Sequence, residues 1–104
     1  MAQYDVYANP SNSAATGIPY VVVIQSDLLD ALATRLVVPL AVPDASTKAP
    51  AALCPVITVK GKRFHALAHY AAPLPSRLLR QPVDNVSAQA NALVSAIDMV
   101  LSGI

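Results

Sequence analysis

Charge is what this sequence lacks most. Lys, Arg, Asp and Glu make up 12% of its 104 residues, about half the usual share of ~25%, and the formal net charge is only +1. A field that weak excludes a protein held on nucleic acid by phosphate neutralisation alone. Cysteine is nearly absent too: Cys54 stands alone, so neither a disulfide framework nor a paired-cysteine zinc site can be built. The three glycines are widely scattered, which removes any phosphate-cradling loop. The longest apolar run, 36–43, falls far short of the ~18 residues of a membrane span. The opening Met1-Ala2-Gln3-Tyr4-Asp5 has neither a basic n-region nor an apolar h-region, so no signal peptide is expected. The expectation is a soluble, cytoplasmic protein with no membrane partner.

What the chain has instead is apolar surface, 55% of its residues. One domain spanning 1–104 cannot bury that much inside a single small core, so an exposed apolar patch and a homodimer that covers it are expected. The stretch 85–104 organises the rest. Ala90, Leu93, Val94, Ile97 and Leu101 recur at helical spacing on one face, with Asn91, Ser95, Asp98 and Ser102 on another. Ser87 is expected to cap the start and Gly103 to end the helix in a conformation of positive φ. The closing helix should span about 86–102, packed on a sheet.

Ahead of it the pattern is that of short strands. Residues 3–8 alternate; 9–17 read as a loop; 18–24 carry three successive valines suited to burial on both faces. Residues 28–33 read as a short turn or a single helical turn. Residues 34–42 resume a strand that Pro39, lacking an N–H, places at an edge or bulge. The Ala- and Pro-rich 43–55 reads as a long crossing loop, 56–68 as a hairpin turning at Gly61, 69–75 as a loop, and 76–79 as a short strand. With no internal repeat and no linker, these elements make a mainly β domain: a small antiparallel barrel or folded sheet capped by one C-terminal α-helix.

Candidate chemistry is thin. His65 and His69 are four apart but lie at a strand end and in a loop, with no third ligand near, so no metal site is expected. Lys60, Lys62 and Arg63 form a basic hairpin tip without interleaved aromatics for stacking on bases. Asp27 and Asp30 flank a turn, where Asp27 suits capping of backbone N–H groups. Ser26 has no histidine close in sequence to activate it. No catalytic residue and no cofactor are indicated, which points to action by binding.

One block, Val23-Ile24-Gln25-Ser26-Asp27-Leu28-Leu29-Asp30 followed by Thr34-Arg35-Leu36-Val37-Val38-Pro39-Leu40, resembles the signature of the CcdB toxins. Leu53-Cys54-Pro55-Val56-Ile57 resembles the entry to that family's next strand, and Ala96-Ile97-Asp98 with the closing Gly103-Ile104 resembles its C-terminal helix and final dipeptide. The resemblance runs in order over nearly the whole chain and is weakest at 9–17 and 43–52. It implies an SH3-like barrel with a terminal helix, as in CcdB and MazF, assembled as a homodimer. It further implies the toxin of a type II toxin–antitoxin pair, which poisons DNA gyrase by binding its A subunit and trapping the cleaved-DNA complex. A CcdA-like antitoxin with a disordered tail would neutralise it, and the pair would meet DNA, as a transcriptional repressor, only through the antitoxin.

By the same resemblance the gyrase-facing positions are Ser26 and Leu28 in the turn, Asp98 and Leu101 on the helix, and Ser102, Gly103 and Ile104 at its tip. The family's best-studied pattern carries Trp just before its closing Gly-Ile, where this chain has Ser102, so a large aromatic anchor of the kind that dominates interfaces is missing. Two other readings stay open. One is a MazF-like endoribonuclease, for which Arg35 with Asp27, or Arg63 with His65, could serve as cation and acid–base groups. The other is an antitoxin-binding dimer whose toxicity has decayed.

Overall fold

The computed structural model describes residues 2–12, 14, 17–43 and 52–103. Among the described residues, seven strands and one α-helix follow in order: β1 (Asp5–Ala8), β2 (Tyr20–Val23), β3 (Thr34–Ala41), β4 (Val56–Val59), β5 (Lys62–Ala66), β6 (Ala72–Pro75), β7 (Asp84–Asn85) and α1 (Ala90–Ser102). The strands pair antiparallel in the order β4-β5-β3-β2-β1-β7, with β6 on the flank of β3. They form a nearly closed barrel with α1 against it, the mainly β architecture expected.

Strand β3 creates the curvature. On one edge it pairs with β2 from Val37 to Leu40. On the other it pairs first with β6, through Val37↔Ala72, and then with β5, starting at Leu40↔Ala66. One edge that feeds two diverging strands must bend. Pro39 sits where the partner changes, its carbonyl accepting from the Leu67 N–H at 2.9 Å. Of the edge or bulge expected at Pro39, the edge is therefore corrected: β3 is central, and the missing N–H falls where neither β6 nor β5 is paired with it.

The barrel's outer strands are joined by side chains instead of a further ladder. Gln89 donates its amide to the Thr58 carbonyl and accepts from the Thr58 N–H, both at 2.8 Å, so one glutamine imitates a strand pair. Asp84 accepts from the Lys60 N–H at 3.0 Å. These bonds satisfy an edge that would otherwise template association with another chain.

The period-2 alternation of β1, β2 and β3 fills two clusters. Val6, Val22, Val38 and Leu40 face the barrel interior with Ile57, Val59, Phe64, Val86 and Leu93. Tyr7, Val21, Val23 and Val37 face outward and are covered by Leu79 and Leu74. This is why three consecutive valines are all buried, as their sequence implied; each such side chain contributes about 1.5–3 kcal/mol when fully buried.

Several local expectations fail for reasons of context. Residues 69–75, expected as a loop, hold most of a 3₁₀ turn (Ala68–Tyr70) and then β6. Pro73 and Pro75 do forbid a helix, yet a strand paired only to β3 tolerates them. Residues 76–79, expected as a strand, form a 3₁₀ turn (Ser76–Leu78). Asn85 belongs to β7, and the helix begins with a 3₁₀ turn (Ser87–Gln89) that runs into α1. Ser87 caps nothing; the Asn85 side chain accepts from the Ser87 N–H at 3.0 Å instead. The expected crossing loop 43–55 falls largely on 44–51, outside the described residues.

The hairpin is as expected. Lys60 (φ 50°) and Gly61 (φ 81°) take the two positive-φ positions of a type I′ turn, the geometry matched to strand twist.

Candidate functional site

Residues after β2 build the first half of the site. The Gln25 side chain accepts from the Leu36 N–H at 3.0 Å and donates to the Thr34 carbonyl at 3.1 Å, closing the mouth of the loop that follows. Ser26 then starts a 3₁₀ turn (Asp27–Leu29), its hydroxyl accepting from the Leu28 N–H at 3.2 Å. From beneath, the buried Arg35 guanidinium donates to the Asp30 carbonyl at 2.6 Å, the Asp30 carboxylate at 2.9 Å, the Thr34 carbonyl at 2.9 Å and the Leu32 carbonyl. Its Nε is the one buried side-chain nitrogen or oxygen without a partner among the described residues.

So anchored, the turn holds Leu28 94% exposed, with Leu29 and Leu32 about half exposed beside it. Leu28, Leu29 and Leu32 thus form one exposed apolar patch on the turn. Asp27 does accept a backbone N–H, as expected of it, but from Gln3, 2.6 Å away, and not from its own turn.

The second half is the end of α1. Gly103 takes φ 72°, and its N–H donates to the Met99 carbonyl at 2.8 Å, closing the helix in the left-handed cap expected of it. Ser102 spends its hydroxyl on the Asp98 carbonyl at 2.7 Å. The predicted apolar stripe is only partly correct. Leu93 and Ala96 are buried and Ile97 packs against the core, but Val94 is 46% and Leu101 79% exposed. The covered face is narrower than the sequence stripe: it is centred on Leu93, Ala96 and Ile97, and Val94 and Leu101 fall beside it. Ile104 lies outside the described residues.

A groove of about 130 Å³ relates the two halves. Its walls are Gln3, Tyr4 and Ile24 on one side and Leu93, Val94, Ile97 and Asp98 of α1 on the other. The wall at Gln3 is tied to the turn through Asp27 and through the Gln3 amide donating to the Ile24 carbonyl at 3.0 Å. The structure thus brings Asp98 to the wall that the 27–29 turn supports. Sequence reasoning missed Gln3, Tyr4 and Val94. Tyr4 adopts φ 69°, a left-handed backbone rare for an aromatic residue, and no local sequence signal marks it.

The residues weighed for catalysis are placed as follows. Arg35 is committed to Asp30 and the loop carbonyls, away from any cleft with Asp27. Arg63 and His65 share a face of β5, and the His65 ring nitrogen lies 3.4 Å from the Cys54 carbonyl. The His69 ring nitrogen lies 3.9 Å from the Cys54 sulfur, but burial pushes the Cys54 thiol up, the wrong direction for a nucleophile. Tyr7 is likewise pushed up, by burial first and then by the neighbouring Asp5 carboxylate to which it is hydrogen-bonded. Among the described residues no three His, Cys, Asp or Glu side chains are grouped to hold a metal ion, and no helix is long and apolar enough to cross a membrane.

Comparison with known proteins agrees with this architecture. No curated protein matches the sequence. The family model described as CcdB protein matches residues 3–103, which takes in every strand of the barrel and all of α1. The chain therefore belongs to the CcdB protein family, and membership implies the toxin of a toxin–antitoxin system, a protein poison and not a catalyst.

Proposed function

We propose that this toxin binds the A subunit of DNA gyrase and traps the cleaved-DNA complex. The contact face is the turn carrying Ser26 and Leu28 together with Asp98, Leu101, Ser102, Gly103 and Ile104. The observation that carries this reading is exposure: Leu28 and Leu101 are the two most exposed large apolar side chains among the described residues. They stand on the two elements related by the 3–4 and 94–98 groove. Neither contributes much to folding, so their apolar area remains for a partner.

The protein acts as a cytoplasmic homodimer that presents two such faces. The remaining exposed apolar residues, Leu36 and Val56 among them, supply surface for the protomer contact, of order 800 Å² per partner. A CcdA-like antitoxin with a disordered tail neutralises it, and DNA is reached only through that complex. The absence of an aromatic side chain at Ser102 places the burden of anchoring on Leu28 and Leu101. Calorimetric titration against the gyrase A-subunit fragment tests this: wild type should bind, and Leu28→Glu should bind at least about tenfold more weakly with an unchanged melting curve. Equal affinity of the two would remove the turn from the contact face.

A further inference from the structure

The fold gives His69 a ligating neighbour that its spacing from His65 does not. Cys54, 15 positions earlier, is buried, and its Sγ lies 3.9 Å from the His69 Nδ1. Both residues stand on backbone that is fixed from either side. The Leu53 carbonyl accepts from the Ala68 N–H at 3.3 Å and the Pro55 carbonyl from the Ala66 N–H at 2.9 Å, so 53–55 runs beside 66–68 as an extension of the β4–β5 pairing. His69 is the middle residue of the 3₁₀ turn Ala68–Tyr70. The Tyr70 N–H closes that turn on the Leu67 carbonyl at 2.9 Å, and the Ala71 N–H on the Ala68 carbonyl at 3.2 Å. The Tyr70 ring leans on the imidazole, centroids 4.3 Å apart. Donor atoms held in this way are preorganised for a ligand.

We propose that Cys54 and His69 bind one soft monovalent metal ion, Cu(I), through Sγ and Nδ1. Thiolate sulfur selects soft ions, and imidazole suits copper as well. Metal–sulfur and metal–nitrogen bonds of about 2.3 Å and about 2.0 Å reach roughly 4.3 Å end to end. A separation of 3.9 Å therefore admits one ion between the two donors at an open angle. His69 is exposed, which gives the ion a route to a sulfur that is itself covered.

Ligand number and charge select this ion over a divalent one. Structural zinc takes four protein ligands, and among the described residues not even three His, Cys, Asp or Glu side chains are grouped for it. A divalent ion on a single thiolate would also leave net positive charge beside Ala41, Leu67, Ile18 and Leu53, the apolar side chains packed with Cys54. Uncompensated charge in such surroundings is costly. Cu(I) with one thiolate and one neutral imidazole is electrically neutral. On binding, the Cys54 S–H bond gives way to an S–Cu bond, the proton leaves to solvent, and no electron is transferred. His65 stays outside the ligand set, because its Nδ1 lies 3.4 Å from the Cys54 carbonyl and supports the backbone there.

The test titrates the full-length protein with Cu(I), kept reduced by ascorbate without air, in competition with a coloured Cu(I) chelator. Zn(II) serves as the comparison ion. Wild type should take up one Cu(I) per chain with a thiolate-to-metal absorption band in the ultraviolet, and should hold Zn(II) at least about a hundredfold more weakly. Its Tm should rise with Cu(I), because only the folded chain brings the two donors together. His69→Ala should weaken Cu(I) binding by about tenfold or more and lose the rise in Tm. Cys54→Ser should lose the absorption band, and His65→Ala should bind as wild type does. Equal affinity in wild type and His69→Ala overturns the proposal, since the thiol then acts alone. Uptake of one Cu(I) per two chains, or Zn(II) held as tightly as Cu(I), overturns it too. Should Cys54→Ser fail to fold, the exposed His69→Ala position decides the matter by itself.

Discussion

Two leucines of α1, eight residues apart, should respond in opposite ways to the same truncation. Leu93 is 1% exposed within the barrel core, whereas Leu101 is 79% exposed. Leu93→Ala removes a fully buried side chain and leaves a cavity, at a cost of about 2–5 kcal/mol. Leu101 has only about a fifth of its surface covered, so its share of the 1.5–3 kcal/mol for complete burial is roughly 0.3–0.6 kcal/mol. For a domain this size 1 kcal/mol moves Tm by about 4–8 °C. Leu101→Ala should therefore melt within about 5 °C of wild type, and Leu93→Ala some 8 °C lower or more. In titrations against the gyrase A-subunit fragment the order reverses: Leu101→Ala should lose about 1–3 kcal/mol of affinity, in the range of a buried apolar anchor. If Leu101→Ala proves as destabilising as Leu93→Ala, the helix tip is packed and the reasoning fails. If its stability loss shrinks as protein concentration rises, Leu101 serves the protomer contact and not the target.

Other perturbations probe the supports. Arg35→Met leaves the carbonyls of Asp30, Leu32 and Thr34 without their donor, and should cost about 2–4 kcal/mol in urea denaturation while weakening gyrase binding through a loosened Leu28 turn. Gln89→Ala removes both bonds to Thr58 at the barrel seam and should cost about 1–3 kcal/mol, with faster hydrogen exchange of the Thr58 amide as its specific mark. Asp84 is held below its ordinary value of 3.8, first by the Lys60 N–H and then by the Asn85 N–H. A depressed carboxylate stabilises the fold fully above its unfolded value, and that stability is lost as pH falls through the lower folded value. Asp84→Asn should therefore lower stability at neutral pH and flatten the acid limb of the stability–pH curve below about pH 4; an unchanged limb would show that the two backbone bonds do not matter.

What could be read from the sequence was local. Three valines in a row, a Lys-Gly pair between alternating runs, and a glycine after a helical stripe each act through neighbouring φ/ψ preferences and period, and all three appear in the structure as read. What could not be read was pairing. Pro39 looked like an edge residue because nothing local shows that β3 changes partner beside it. Pro73 and Pro75 hid β6 because a proline's tolerance depends on which side of a strand is paired. The α1 stripe assigned Val94 and Leu101 inward because periodicity reports a face and not how wide a strip of it the barrel covers. At the site, Leu28 and Asp98 entered through family resemblance, whereas Gln3 and Tyr4 depend on a contact made by Asp27 across 24 positions of chain.

Poisoning of gyrase is tested most directly by a DNA-cleavage assay with purified gyrase, supercoiled plasmid and this protein. Linear, gyrase-linked DNA should accumulate with wild type and not with Leu28→Glu, with RNA left intact in both. Normal supercoiling with no cleaved complex at saturating wild-type protein, or cleavage of RNA by the protein alone, would contradict it.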